Sequence, residues 1–270
     1  MSGDLGSEES PPSGRAASQP GAPVSIGGLP VARLSSERLV DAIFAALAAG
    51  RGGSVVTANV DFVQRAAKSV EIRELYRRAD WIVADGVPLL WAARLRGRSL
   101  PERIAGSDLV WRLAERASRE GRSLYLLGGE GEAARIAAER LQERFPGLSI
   151  AGCWSPQVGA RPGDDEIERL ARRIVPGHPD LVLVALGSPK QEWVISGLRP
   201  RLPGAWMLGC GITFSFVAGQ VQRAPIWMQR AGLEWLHRLA QEPRRLAGRY
   251  LLRNLPFTAR LLLGALSSRR

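Results

Sequence analysis

Short polar segments follow one apolar run after another in this chain, and their residue types suit sugar and phosphate chemistry. Thr57-Ala-Asn59-Val-Asp61 sets a hydroxyl, an amide and a carboxylate at alternating positions. These groups suit binding of sugar hydroxyls or capping of a following helix, and capping alone accounts for Asp61. Asp85-Gly86 ends the run WIVA, placing a carboxylate beside a glycine that lets a ligand approach the backbone. That pair reads as a general base or as an ordinary Asp-Gly turn. Arg103-Ile-Ala-Gly106-Ser107-Asp108 precedes an amphipathic pattern, with Ser107 or Asp108 as N-cap. The helix start is then an anion site to which Arg103 adds a cation. Leu126-Leu-Gly128-Gly129-Glu-Gly131 runs from a strand into a glycine turn and a helix, an arrangement that holds phosphate on backbone N–H groups. It is not a full dinucleotide fingerprint, and no Walker lysine follows it. Gly187-Ser-Pro189-Lys190-Gln191-Glu192 follows the most apolar run and suits neutralising a diphosphate and reading sugar hydroxyls, with a solvated loop as the alternative.

Strands and helices must carry these segments. SVVTA (54–58), WIVA (81–84), SLYLL (123–127), LSIAGC (148–153), LVLVAL (181–186) and AWML (205–208) read as strands. Helical spacing with charged outer faces covers 109–120, 132–144 and 165–175. Such alternation predicts an α/β fold with a Rossmann-like, doubly wound, mostly parallel sheet covered on both faces. Ligands then bind beyond the carboxyl ends of the strands, where these polar segments fall.

Composition narrows the chemistry. The chain has 270 residues, 45% of them apolar, enough for one large domain or one and a half. Lys68 and Lys190 are its only lysines, which points to codon bias toward arginine. Cys153 and Cys210 read as buried thiols in a reducing compartment. His178 and His237 lie near no nucleophile signature, and Asp164-Asp165 is a turn; hydrolase triads and metal sites fall away. The predicted metal set is therefore none. Residues 1–25 read as a disordered leader rich in Ser, Gly and Pro, without the basic and apolar blocks of a signal peptide. The run 203–222, the longest without charge, is interrupted by four glycines and does not span a membrane.

Residues 26–218 form the expected catalytic domain, and 219–270 a basic appendage. From Gln220 to Arg270 there are ten arginines and two acids, a net +8 of the chain's +11. Large apolar residues lie among these charges, as suits an anionic membrane surface. A helix over 249–266 would gather Leu251, Leu255, Leu262 and Leu266 on one face and Arg249, Arg253 and Arg260 on the other, with Pro256 kinking or dividing it.

In this order the motifs resemble the WecG/TagA/CpsF glycosyltransferases, glycosyltransferase family 26, over about residues 26–255. To the segments above the resemblance adds Arg223-Ala-Pro225, Gly232-Leu-Glu234-Trp235 and Glu242-Pro243-Arg244-Arg245. It implies an inverting, metal-independent transferase using no cofactor beyond its UDP-sugar substrate. The acceptor would be a polyprenyl-diphosphate-linked saccharide at the cytoplasmic face of the plasma membrane, in cell-wall or exopolysaccharide synthesis. Asp85 matches the family's proposed base. Thr57, Asn59, Arg103 and Gln191 match pocket positions, and the arginine-rich appendage would dock on the membrane and close the site. The candidate substrate-binding set is Thr57, Asn59, Asp61, Gly86, Arg103, Gly106, Asp108, Gly128, Gly129, Gly187, Lys190, Gln191, Glu192, Arg223, Arg230, Arg244 and Arg245. Many relatives have Phe-Asp-Phe where this chain has Phe214-Ser215-Phe216, a lost carboxylate that bears either on donor recognition or only on a structural hydrogen bond. An N-acetylmannosamine-type donor is the principal expectation. The alternatives are a UDP-glucose-type exopolysaccharide transferase, a basic nucleic-acid-binding protein and a Rossmann dehydrogenase; the concentration of charge in one tail and the incomplete glycine pattern argue against the last two.

Overall fold

The computed structural model of the chain describes residues 21–267, apart from the side chains of Arg230, Arg245 and Arg249. Residues 1–20, most of the expected leader, lie outside the described residues. The first strand, β1 (Val24–Ile26), begins ahead of the expected boundary at residue 26. It pairs antiparallel with β2 (Leu29–Val31) through Gly27 and Gly28, whose φ values of +58° and +84° suit the tight hairpin turn. Ala32 N donates to Ile82 O at 2.8 Å, tying this hairpin to the edge of the main sheet.

That sheet is wholly parallel. It contains β3 (Gly53–Ala58), β4 (Trp81–Ala84), β5 (Ser123–Gly128), β6 (Ser149–Trp154), β7 (Leu181–Ala185) and β8 (Trp206–Gly209). Their spatial order is β4-β3-β8-β7-β5-β6. The strand runs read from the sequence correspond to these six within one or two residues.

Alternating residues separate the two faces. Val55, Val83, Leu124, Leu126, Leu181, Leu183 and Leu208 pack with helices Ser36–Ala48, Gly106–Glu120 and Ala133–Arg144. On the other face, Val56, Ile82 and Ala84 meet Val60–Lys68, Val70–Arg77 and Val87–Leu95. Tyr125, Leu127, Val182, Val184 and Met207 meet Asp164–Ile174 and Lys190–Leu198. Burying each such Leu or Val is worth about 1.5–3 kcal/mol, which is why these central strands read as unbroken apolar runs.

After β8 the chain forms short helices Thr213–Val217, Ile226–Arg230, Glu234–Gln241 and Pro243–Ala247, then a π-helical segment Gly248–Asn254 and a last α-helix Leu255–Ser267. The last helix returns to the sheet domain and packs on Val87–Leu95 and Val60–Lys68. Gln64 Nε2 donates to Arg253 O at 2.8 Å, fastening the π segment to the same helix pair. The expected leucine face is divided by this packing. Phe257, Leu261, Leu262 and Ala265 face the core, whereas Leu251, Leu255 and Leu266 are exposed. Pro256 falls where winding changes from π to α, so its missing N–H is absorbed at that junction instead of severing the helix. Among the described residues no helix is long and apolar enough to cross a membrane.

Candidate active site

The carboxyl edge of the sheet carries two groups of residues. At its β4 end, Asp85 N donates to Ala58 O at 2.8 Å, extending the β3–β4 ladder by one residue. Ile104 N then donates to Ala84 O at 2.8 Å, which draws Arg103 alongside Asp85. Arg103 Nη1 lies 3.3 Å from Asp85 Oδ1 and 3.3 Å from Glu234 Oε2, while Nη2 lies 3.7 Å from Asp108 Oδ2. Arg223 forks onto both oxygens of Asp108, and its Nε lies 3.2 Å from Glu234 Oε1. Three carboxylates and two guanidiniums thus form one chain of ion pairs.

The environment of Asp85 decides its proton affinity. A quarter of its side chain (26%) still meets solvent, yet protein surrounds it on the remaining sides. Burial raises its pKa from the usual carboxylate range to about 7; Arg103 opposes this, Glu234 and Asp108 add to it, and Arg223 opposes it weakly. A carboxyl poised near neutrality matches the requirements of a general base.

The helix bearing Asp108 begins three residues earlier than the sequence suggests. Its N-cap is Ala105, with no side-chain cap, so Ser107 and Asp108 lie within the first turn. Instead of serving as an N-cap, Asp108 holds the two arginines. Gly106 lies close to the end of β3: a Cβ there would stand 3.1 Å from Thr57 Oγ1. Asn59 caps the next helix, accepting from Asp61 N at 3.0 Å. Gly86 faces Asn59, with 3.4 Å between its would-be Cβ and Asn59 Cα. Asp61 is turned inward and pairs with Arg65 at 3.0 Å.

The second group lies at the other end of the edge. Gly128 ends β5 and Gly187 lies two residues past β7, and these strands are neighbours. Gly129 N donates to Ala185 O at 2.8 Å. Gly128 has φ +99°, and a Cβ there would come within 2.6 Å of Ala185 O, so only glycine keeps the two lips together. From β5 the chain proceeds outward to β6, and from β7 inward to β8, which makes this junction a switch point of the winding.

The Lys190–Glu192 segment departs from expectation. Lys190 Nζ donates to Val158 O at 3.1 Å, so its ammonium secures the loop after β6. Gln191 and Glu192 are buried. Gln191 Nε2 donates to Glu192 Oε1 at 2.7 Å, and its Oε1 accepts from Gly211 N at 3.1 Å, fixing the turn after β8. Burial raises the Glu192 pKa to about 7, against weaker opposite effects of Gln191, Ser188 and Arg65. Arg65 Nη1 donates to Ser188 O at 3.0 Å, and the Tyr76 hydroxyl lies 2.9 Å from Ser188 Oγ. Burial raises the Tyr76 pKa as well.

Of the appendage arginines, Arg223 joins the cluster and Arg244 is exposed. The side chains of Arg230 and Arg245 lie outside the described residues. Ser215 is buried, and its carbonyl accepts from Gln220 and Val221, closing the turn that leads into the appendage. Glu234 is quoted in the resemblance but is absent from the candidate substrate-binding set. Its signal was an acid inside an arginine-rich stretch, within the Gly232-Leu-Glu234-Trp235 motif. Arg65 and Tyr76 carry no such signal, whereas Ser188 lies within the Gly187–Glu192 motif.

The chain is thus an α/β protein with a doubly wound parallel sheet that gathers Asp85, two paired arginines and glycine lips along one edge. The glycosyl transferase WecG/TagA/CpsF family model matches residues 24–270, and the chain belongs to that family. It is 34% identical over 195 residues to a protein of Bacillus spizizenii, covering 72% of this chain and 74% of that one. A Bacillus subtilis protein is 31% identical over 192 residues, covering 71% and 73%. Both bear the name N-acetylglucosaminyldiphosphoundecaprenol N-acetyl-β-D-mannosaminyltransferase. These names match the principal expectation from the sequence and do not favour the glucosyl, nucleic-acid or dehydrogenase alternatives.

Proposed function

We propose that this glycosyltransferase moves N-acetylmannosamine from a UDP donor to a polyprenyl-diphosphate-linked N-acetylglucosamine, with inversion at the anomeric carbon. The observation that carries this reading is the carboxyl of Asp85, poised near pH 7 and flanked by Arg103 at the open edge of the sheet. Asp85 takes the proton of the acceptor hydroxyl as that oxygen attacks the anomeric carbon. The bond from that carbon to the UDP oxygen breaks, and its electron pair leaves with UDP. Arg103 and Arg223 stabilise the charge on the departing diphosphate without a metal ion. Gly128, Gly129 and Gly187 place no side chain along this edge, which lets the donor approach the backbone closely. Thr57 and Asn59, beside Gly106 and Gly86, form the sugar side of the pocket.

The acceptor's lipid requires the enzyme to work at the cytoplasmic membrane face. Ile226, Trp227, Leu251, Leu252, Leu255, Leu263 and Leu266 are exposed large apolar side chains in the appendage, and Trp91 adds another on the helix that carries it. Set among arginines, they support peripheral docking on anionic lipid. Incubating the protein with UDP-N-acetylmannosamine and a lipid-diphosphate-linked N-acetylglucosamine should release UDP and yield a disaccharide. Absence of product with this pair, alongside turnover of UDP-glucose, would refute the donor assignment.

A further inference from the structure

Glu234 stands in an unusual position. It is an acid in a segment rich in arginine, and each of its two oxygens meets a different guanidinium, Oε2 that of Arg103 and Oε1 that of Arg223. We propose that Glu234 is a stand-in anion for the donor diphosphate: it occupies the two arginines in the empty enzyme and gives them up when the diphosphate binds. The inference rests on the function proposed above, since it assigns Arg103 and Arg223 to the diphosphate.

Charge balance is the first argument. With all five groups ionised, Asp85, Asp108 and Glu234 outnumber Arg103 and Arg223 by one. A diphosphate added to that set meets a net negative cluster whose guanidiniums are both paired already. Withdrawal of a carboxylate frees guanidinium donors for it and removes a like charge. Lys190 offers no relief while its ammonium holds Val158 O.

Anchoring is the second argument, and it separates Glu234 from Asp108. Asp108 sits in the first turn of a fifteen-residue helix that buries Leu109, Val110 and Leu113 in the core. Its position is therefore held by packing independent of the ion pairs. Glu234 opens the eight-residue helix Glu234–Gln241, which has no buried residue. Releasing it disturbs little packing. These pairs are largely buried, so the arginines give up Glu234 only for another anion, and a diphosphate supplies it with charge-assisted, two-pronged hydrogen bonds. The exchange thus favours the ligand, and the carboxylate sets how strongly the donor must compete.

Titration calorimetry with UDP, and with inorganic pyrophosphate as a probe lacking the nucleoside, tests the idea on wild type and Glu234→Gln. Glutamine keeps the shape but removes the charge, so the variant should bind both about threefold to tenfold more tightly, because a competing anion is gone. Hydrogen exchange of the wild type supplies a second measurement that needs no variant: UDP should hasten exchange across 234–241. Unchanged or weaker UDP binding by a folded Glu234→Gln, or protection of 234–241 by UDP in the wild type, overturns the stand-in role. Failure of wild type and variant alike to bind UDP overturns the donor assignment itself, and this inference with it.

Discussion

Asp85 and Glu234 share one nitrogen: Arg103 Nη1 lies 3.3 Å from a carboxylate oxygen of each. The candidate base at the end of β4 is thereby one guanidinium away from the appendage. Whatever alters the seating of the appendage also alters the charge beside the base.

Replacing Asp85 with Asn should lower kcat on the order of 10²–10⁴ while leaving UDP affinity within a few-fold of wild type. The variant retains the side chain's size, and the backbone bond from residue 85 to Ala58 O is untouched. Steady-state kinetics with a parallel UDP titration separates the two effects. Near-normal turnover by the folded variant would remove Asp85 as the base.

The pH profile follows from the raised pKa of Asp85. A base acts only when ionised, so kcat should climb about tenfold per pH unit below about 7 and level off above it. Arg103 favours the ionised form, so Arg103→Gln should move the inflection to higher pH, whatever it does to the plateau. An inflection near pH 4 in wild type would show that burial does not control this group.

Glu192 yields a stability prediction. Its folded pKa, about 7, exceeds the ordinary value of 4.5, so the folded protein holds a proton there that the unfolded chain has lost. The resulting stabilisation is present below about pH 4.5 and disappears as pH rises through 7. Glu192→Gln keeps an acceptor for Gln191 Nε2 and carries no charge to bury. Relative to wild type it should therefore gain stability between pH 5 and pH 8, by up to about 3 kcal/mol. Thermal unfolding of both proteins at the two pH values measures this difference, and a pH-independent offset would contradict it.

Gly128→Ala should weaken both fold and site. Its φ of +99° is strained for any side chain, and the added methyl meets the Ala185 carbonyl at 2.6 Å. Strain of this kind costs on the order of 1–3 kcal/mol before the backbone shift is counted. UDP binding should fall in step, because Gly129 N donates to that same carbonyl. Calorimetry and UDP titration provide the two readings; unchanged values in both would show that the lips tolerate separation.

The proposed membrane docking rests on the exposed apolar residues of the C-terminal segment. Trp227 and Leu252 are 64% and 78% exposed, so charging them disturbs little packing. The double variant Trp227→Glu, Leu252→Glu should sediment far less with phosphatidylglycerol vesicles than wild type, while UDP binding is retained. Undiminished sedimentation would assign docking to another surface.

Most of the sheet was legible in the sequence. Five of its six strands are buried apolar runs because both faces are covered, while the edge strand β6 is only partly buried; glycine or polar residues lie at or within two residues of the strand ends. The helix at Gly106 was harder to bound. Its cap is the unremarkable Ala105, and its start is set by the Ile104–Ala84 hydrogen bond, not by a capping side chain. The π segment at 248–254 was hidden because its winding answers to Pro256 and to packing on Gln64, neither of which changes the local pattern.

By itself the sequence determined the parallel α/β class, the placement of Asp85, Arg103 and the glycines at strand ends, and the basic appendage. Those features rest on period and local composition, which adjacent residues share. Only the tertiary structure decided which strand ends adjoin, and so which polar groups meet. Strand order placed Gly128 beside Gly187 and buried Glu192 beneath Gly209, while return of the appendage brought Glu234 and Arg223 onto Arg103 and Asp108. Proton affinity belongs to the same level, because Asp85 owes its poise near neutrality to the protein and charges that surround it, and these come from distant parts of the chain.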